Sequence, residues 1–336
     1  MTHILSERDG AVGVITINRP ARFNAMDVHT AQDFRRAALQ FARDTEIRAV
    51  VLRGLPGIFC SGADLKFIRA GGAVADLEYL TCAEYRRPAA GSPPQYGDVF
   101  KQILEYIHSA ISEIRRAPKP FIAAVDGVAA AGGMGIAMAC DLVLASDRAA
   151  FEWAYSKTAL TGAESTTFML PRLIGLRRSF ELLFLNPRLT AAQARDYGLV
   201  TSVLPTDGFE AAVLQTAERL TLGPPRAYAV AKELLNQSSG MDRLDDHLDR
   251  ELDALARAAN GPEFAEGLRA FFEKRAPVFV AGERRETAAS VAAIADRPSP
   301  IAGEAETLAA MRAAASVVAE VQSPKLDTFY GRDRDE

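Results

Sequence analysis

The segment VDGVAAAGGMGIAMACD, residues 125–141, is the feature that most restricts how this chain can fold. Its middle carries no charge, so a buried helix, a membrane span and a backbone site for a ligand all have to be considered. Asp126 and Asp141 enclose fourteen uncharged residues, fewer than the roughly 20 that a spanning helix needs. We therefore exclude a membrane span here and expect no membrane partner.

The glycines of this segment also make an ordinary core helix unfavourable. Gly127, Gly132, Gly133 and Gly135 would each weaken a helix interior by about 1 kcal/mol relative to alanine. Their concentration indicates a turn where the backbone approaches a ligand, followed by a helix from about Gly133. A helix N-terminus offers free N–H groups and a positive dipole end, which stabilise a developing negative oxygen.

A second glycine-containing segment, GIFCSGADLK at residues 57–66, follows a predicted buried strand. One backbone N–H from each segment, converging on one carbonyl oxygen, would form an oxyanion hole. Taken alone, each segment is better explained by tight packing of a strand on a helix.

The bulk properties narrow the classes of partner. The chain has 336 residues, a length that predicts one large domain with an appendage, and a net charge of −4, which disfavours a nucleic-acid partner. Cys60, Cys82 and Cys140 lack the spacing of metal ligands, so no metal is expected. The charged start MTHILSERDG does not resemble a secretion signal, and we expect a cytoplasmic protein with reduced thiols.

Strand and helix patterns alternate in the first half of the chain. GAVGVITINRP, IRAVVLRG and PFIAAVDG are typical of strands, while Phe34, Ala38 and Phe41 have helical spacing. This alternation predicts an α/β fold.

The remaining segments differ in composition. Residues 70–98 are rich in Gly, Pro and Ala and predict a long loop, and an amphipathic helix is expected from about Phe100 to Arg116. Residues 205–279 are mostly helical in pattern, with breaks at 223–225 and 260–263. A last helix is expected near 303–321.

Five motifs, in this order, resemble those of the enoyl-CoA hydratase/isomerase (crotonase) superfamily. They are INRPARFNAMD, FCSGADLK, PKPFIAAVDGVAAAGGMGIAMACDLVLAS, LPRLIGLRRSFELLFLNPRLTAAQARDYGLVTSVLP and EFAEGLRAFFEKRAPVF. The resemblance implies a crotonase-like spiral of ββα units over residues 1–204 and a helical trimerisation region over 205–280. Residues 281–336 are an extension of unknown role. A homotrimer or a dimer of trimers is the implied assembly.

The same resemblance implies an acyl-CoA thioester substrate, with coenzyme A as part of the substrate and no separate cofactor. The N–H groups of Ala63 and Gly132 would bind the thioester carbonyl. Lys232 would contact coenzyme A from a neighbouring subunit. The other implied substrate contacts are Arg22, Ser61, Asp64, Leu65, Lys66, Gly133, Tyr155, Phe272 and Lys274.

The usual catalytic glutamates of the family hydratases are absent, since their positions hold Gly135 and Tyr155. Some isomerases and the 4-chlorobenzoyl-CoA dehalogenases of the family carry an acidic residue in a later turn. That position corresponds to Ala163, and Glu164 follows it directly. We therefore predict that Glu164 is the acid–base group, with a pKa raised by an apolar pocket. The alternative is that Glu164 caps a helix starting near Ser165 or faces solvent.

His108 and Tyr155 match a histidine and an aromatic residue of the dehalogenases. Three hypotheses follow: a lyase or isomerase using Glu164 alone, an aromatic acyl-CoA hydrolase or dehalogenase-like enzyme using His108 and Glu164, and a non-catalytic acyl-CoA-binding protein. The test is whether one or both of these side chains reach the site beside the two N–H donors.

Overall fold

The computed structural model describes residues 3–55, 57–72 and 95–279. The ten strands in these ranges are β1 Ile4–Asp9, β2 Val12–Ile17, β3 Ala49–Gly54, β4 Ile58–Cys60, β5 Phe121–Val125, β6 Val128–Ala130, β7 Leu142–Ser146, β8 Ala150–Glu152, β9 Arg188–Thr190 and β10 Ser202–Leu204. The α-helices are α1 Val28–Arg43, α2 Leu65–Arg69, α3 Tyr96–Arg116, α4 Gly132–Ala139, α5 Thr166–Leu185, α6 Ala191–Tyr197, α7 Phe209–Thr221, α8 Pro225–Ser238, α9 Leu244–Ala259 and α10 Pro262–Glu273.

The strands form two sheets, and from β3 to β8 successive strands belong alternately to the larger and the smaller sheet. The larger sheet has the order β1-β2-β3-β5-β7-β10, and the smaller has the order β4-β6-β8-β9. β3, β5 and β7 each lead directly into a strand of the smaller sheet, and a helix follows each pair. This repetition confirms the predicted spiral of ββα units. The division at residues 204 and 205, and the trimerisation role of the later helices, stay predictions.

Helix α1 illustrates how local pattern and packing agree. The Asp27 side chain accepts a hydrogen bond from the Thr30 N–H and caps the first turn, as expected of an N-terminal aspartate. Phe34, Ala38 and Phe41 are all buried, so the predicted apolar face is confirmed.

Two features of the structure differ from the predictions. Helix α3 begins at Tyr96, so the end of the predicted 70–98 loop is helical, while residues 73–94 lie outside the described residues. The extension 281–336 and its predicted helix lie outside them as well. Strand β1 was missed because its exposed face is charged.

The aromatic residues after β8 do not continue the strand. Phe151, Trp153 and Tyr155 alternate in the sequence as they would in one strand, but β8 ends at Glu152. Ala154 has a left-handed backbone with φ of 59°, and a 3₁₀ turn, Tyr155–Thr158, follows. This change of direction takes Tyr155 out of the sheet and into the pocket described below.

In the described part of the chain, no helix combines the length and the apolar character needed to cross a membrane.

Candidate active site

A pocket of about 410 Å³ lies where the ββα units, α3 and the last two helices meet. Its buried side carries Phe100, Tyr155 and Leu255, and its exposed side carries Phe23 and Phe271. The predicted contact residues Arg22, Ser61, Ala63, Asp64, Leu65, Lys66, Tyr155, Glu164 and Phe272 all line it. An elongated ligand with one apolar end fits such a lining.

Ala63 lines this pocket, and its backbone N–H is a candidate donor to a ligand. Met26 donates its N–H to the Gly62 carbonyl at 2.8 Å and accepts from the Asp64 N–H at 2.8 Å. Because a trans peptide is planar, the Ala63 N–H points opposite to the Gly62 carbonyl, and so away from Met26. Within residues 3–55, 57–72 and 95–279, the Ala63 N–H has no hydrogen-bond acceptor.

The Gly132 N–H lies beside this donor. Gly132 is the first residue of α4, so its N–H has no acceptor inside the helix. It has none elsewhere among the residues that the model describes. A Cβ placed on Gly62, the residue before Ala63, would lie only 3.1 Å from the Gly132 nitrogen. The two unoccupied donors are thus held close together by glycine packing.

The Glu164 carboxyl group adjoins this donor pair. A Cβ added to Gly132 would lie 2.5 Å from Oε1 of Glu164, so the carboxyl group is in close contact with the start of α4. The Tyr155 hydroxyl donates a short hydrogen bond to Oε2 of the same group. Glu164 is buried yet lines the pocket, and it does not cap α5, whose N-cap is Ser165.

Glu164 reaches this place through a strained turn. Glu164 and Ser165 both have left-handed backbones, with φ of 52° and 67°, a conformation costly for residues other than glycine. The Glu164 N–H donates to Nε2 of His108 at 3.2 Å. The buried Glu251 carboxylate of α9 accepts from the N–H groups of Ser165 and Thr167, each at 2.8 Å. Distant helices therefore stabilise the turn.

The environment of Glu164 favours its protonated form. Burial raises its pKa to about 7, the Tyr155 hydrogen bond opposes this rise, and the charge of Glu251 adds to it. Burial and the neighbouring carboxylate hold the pKa of Tyr155 well above its usual value, so its hydroxyl remains a donor. A carboxyl group with a pKa near neutrality is suited to taking and returning a proton.

The His108 side chain contacts the backbone of Glu164 and does not line the pocket. Because Nε2 accepts the Glu164 N–H, the proton of the neutral ring is on Nδ1. Burial lowers the His108 pKa to about 3, and the residue does not line the pocket. His108 supports the backbone of Glu164, whereas the carboxyl group of Glu164 alone lies beside the two donors.

Gly135 packs directly against the Glu164 turn. A Cβ at Gly135 would lie 2.2 Å from the Glu164 carbonyl oxygen and 2.9 Å from the Glu164 Cβ. The backbone of Glu164 fills the volume that a side chain at position 135 needs. A side chain at position 135 would therefore displace the turn that brings the Glu164 carboxyl group to α4.

Four of the predicted substrate contacts, which stay predictions, have other neighbours in the fold or lie outside the lining of the pocket. The Asp64 carboxylate is engaged by Arg19 and by the start of α2. Gly133 packs on Cys60, where an added Cβ would meet the Cys60 carbonyl oxygen at 2.1 Å. Lys274 is exposed at the end of α10 and is not among the residues lining the pocket.

Lys232 is the fourth of these residues. Its Nζ donates to the carbonyls of Ile114 and Lys119 and to the Asp141 carboxylate, at 2.9, 3.0 and 2.7 Å. An ammonium group has three donors, so none remains for a phosphate. The residue lines a separate groove of about 470 Å³ between α3 and α8.

Sequence analysis missed Glu251, Phe100 and Leu255 as parts of the site. Glu251 lies 86 residues after the turn that it supports, and Phe100 and Leu255 have the apolar character of any core residue. No local pattern distinguishes them.

The comparisons with known proteins agree with this architecture. The family model for enoyl-CoA hydratase/isomerase matches residues 7–82 and 99–282. The 1,2-epoxyphenylacetyl-CoA isomerase of Escherichia coli K12 is 30% identical, over 83% of this chain and 98% of the relative. The 4-chlorobenzoyl coenzyme A dehalogenase-2 of an Arthrobacter species is 29% identical, over 81% and 91%.

A crystal structure of an enoyl-CoA hydratase from Mycobacterium avium subsp. paratuberculosis K-10 has the same fold. Its TM-score is 0.70 at 30% identity, with 83% of this chain and 98% of that chain covered. Because the family model covers most of the chain and the ββα units match those of the solved structure, this chain belongs to the enoyl-CoA hydratase/isomerase family, whose members process acyl-CoA thioesters.

Proposed function

We propose that this protein is an acyl-CoA isomerase in which one carboxyl group, that of Glu164, removes and returns a proton. The observation that carries the proposal is the contact of the buried Glu164 carboxyl group with Gly132, beside two N–H donors that have no acceptor among the described residues. A carbonyl oxygen bound by these donors would accept negative charge as the neighbouring carbon loses its proton.

The reaction would proceed in two balanced steps. Glu164 takes a proton from the carbon next to the thioester carbonyl, and the electron pair of the C–H bond moves onto the carbonyl oxygen as an enolate. With a β,γ-unsaturated acyl group, the electrons then return as the double bond shifts, and the same carboxyl group delivers its proton to the γ-carbon. Neither water nor a second acid is consumed.

The surroundings of Glu164 favour isomerisation over the two alternatives. Hydration would need a water molecule and paired carboxylates, and the corresponding positions are Gly135 and Tyr155. The dehalogenase-like alternative requires His108 in the pocket, whereas its ring accepts a backbone N–H. A protein that only binds acyl-CoA has no use for a strained turn that exposes a carboxyl group to the ligand.

The direct test is Glu164→Gln, assayed by isomerisation of 3-hexenoyl-CoA and by deuterium exchange next to the carbonyl of hexanoyl-CoA. Both rates should fall about 10²- to 10⁴-fold with little change in thioester affinity, because glutamine keeps the size but cannot titrate. Glu152→Gln is the matched control, since Glu152 also lines the pocket but is paired with Lys157. Unchanged exchange in Glu164→Gln would remove Glu164 from the mechanism.

The predicted trimer, or dimer of trimers, remains part of the proposal. Leu176, Phe180 and Phe184, in the part of α5 after the kink at Gly175, are exposed apolar residues at helical spacing, and apolar surface of this kind favours association. Light scattering that finds only monomers would contradict it.

A further inference from the structure

Arg19 holds together the two chain segments that position the Ala63 donor. We infer that Arg19 is a positioning residue for the oxyanion hole, acting through Asp64 and the segment around Met26. The inference rests on the proposed function, because it assigns the Ala63 N–H to carbonyl binding. Nothing in the motif INRP by itself indicates this role.

Met26 makes one backbone hydrogen bond to Gly62 and one to Asp64, on either side of Ala63, and we call this pair the Met26–Ala63 bridge. The guanidinium group of Arg19 contacts both chain segments that form this bridge. Nη1 donates to the Ala25 carbonyl and to Oδ2 of Asp64, both at 2.8 Å. Nη2 donates to Oδ2 of Asp27 at 2.5 Å. Ala25 and Asp27 flank Met26 in the chain, and Asp64 directly follows Ala63. One side chain therefore holds the neighbours of both bridge partners.

Asp64 transmits this constraint to the Ala63 peptide. Its Oδ1 accepts the N–H groups of Lys66 and Phe67 at 2.9 and 3.1 Å, which caps α2, while its Oδ2 is held by Arg19. The chain direction after Ala63 is thus fixed by one carboxylate with both oxygens engaged. Before Ala63, the Gly62 carbonyl is held by Met26.

The ion pairs of Arg19 with Asp27 and Asp64 are buried, which restricts the motion of these side chains. The side chains of Arg19, Asp27 and Asp64 are 11%, 9% and 5% exposed, so solvent competes little for their hydrogen bonds. A planar guanidinium group can serve two carboxylates and a carbonyl at fixed angles. The ammonium group of lysine keeps the charge but lacks this fork geometry.

Arg19→Lys is therefore the informative variant. It keeps the positive charge but cannot make all the hydrogen bonds of Arg19 to Ala25, Asp27 and Asp64 at once. Arg115→Lys is the matched control. Arg115 is similarly buried, with a side chain 13% exposed, and pairs with Asp141 at 3.1 Å. It lines the groove between α3 and α8 and not the pocket.

Two measurements separate positioning from general stability. The first is the infrared band of the thioester carbonyl of ¹³C-labelled hexanoyl-CoA, which moves to lower frequency when donors polarise the carbonyl. The second is kcat and KM for 3-hexenoyl-CoA, with the melting temperature recorded for each variant.

In the unmodified protein and in Arg115→Lys we expect the full band shift. In Arg19→Lys the shift should be smaller and kcat about 10- to 100-fold lower, since a misplaced donor stabilises the enolate poorly. If Arg19→Lys does not fold, Asp64→Asn serves in its place, because it keeps a capping oxygen but loses the ion pair.

The outcomes distinguish the inference from the proposed function. A full band shift and unchanged kcat in Arg19→Lys, or in Asp64→Asn if it is used, would overturn the positioning role and leave the oxyanion hole intact. The absence of any band shift in the unmodified protein would overturn the oxyanion hole itself, and the positioning role with it.

Discussion

The Tyr155 hydroxyl donates a hydrogen bond to the carboxyl group of Glu164, nine residues further along the chain. Tyr155 thereby supplies a hydrogen-bond donor to the carboxyl group that we propose as the acid–base group. This donor stabilises the ionised carboxylate, whereas burial and the Glu251 charge favour the protonated form. The balance of these effects gives Glu164 a pKa of about 7 and leads to opposite predictions for two variants.

Tyr155→Phe should move the pH dependence of proton exchange to higher pH. In the unmodified protein the exchange rate should rise with pH through about 7, because only ionised Glu164 accepts a proton. Loss of a hydrogen bond to a charged group, worth about 1.5–3 kcal/mol, raises the pKa by about one to two units. The rate at pH 6 should therefore fall. An unchanged midpoint in deuterium exchange of hexanoyl-CoA would contradict this coupling.

Glu251→Gln should move the same midpoint to lower pH, because the neighbouring negative charge disappears. The glutamine amide also replaces one acceptor of the Ser165–Thr167 turn, so the free energy of unfolding should drop by about 1–3 kcal/mol. Thr167→Val is the control, since it removes a donor to Glu251 but keeps the charge. A midpoint that falls equally in both variants would show that the turn, and not the charge, is responsible.

Two variants of Gly132 are needed to separate loss of its N–H from a clash, because any side chain at this position would contact Glu164. An added Cβ would lie 2.5 Å from Oε1 of Glu164, so Gly132→Ala should slow isomerisation by displacing the carboxyl group. Gly132→Pro adds this contact and also removes the N–H. Proline is tolerated in the first turn of a helix, and the fold should survive. We expect the proline variant to be about 10²- to 10³-fold slower than the alanine variant, and equal rates would exclude Gly132 as a donor.

Gly135→Ala should damage both stability and exchange. Its Cβ would lie 2.2 Å from the Glu164 carbonyl oxygen, and the backbone on each side has little freedom to move. Overpacking of this kind costs about 1–3 kcal/mol, and the displaced turn would carry the carboxyl group away from Gly132. Gly261→Ala, where φ is −81° and the nearest atom would be 3.1 Å away, is the matched control. Wild-type exchange in Gly135→Ala would show that the turn can adjust.

Much of the fold follows from local sequence patterns. The apolar face of α1, the strand preceding each glycine-containing segment and the start of α4 at a glycine cluster all depend on residues close together in the chain. The order of the five motifs indicates the family, because that order reflects the succession of ββα units. The candidate donors Ala63 and Gly132 and the turn that carries Glu164 could be identified for the same reason.

The roles of individual side chains were decided by tertiary structure. Asp64 and Lys232 have the charge expected of ligand contacts, yet Arg19, 45 residues before Asp64, and Asp141, 91 residues before Lys232, bind them within the fold. Glu251 supports a turn 86 residues earlier, and the same turn excludes a side chain at Gly135. Hydrogen bonds and close packing between distant segments leave no periodic trace in a sequence, so only the folded chain determines which polar groups remain free for a ligand.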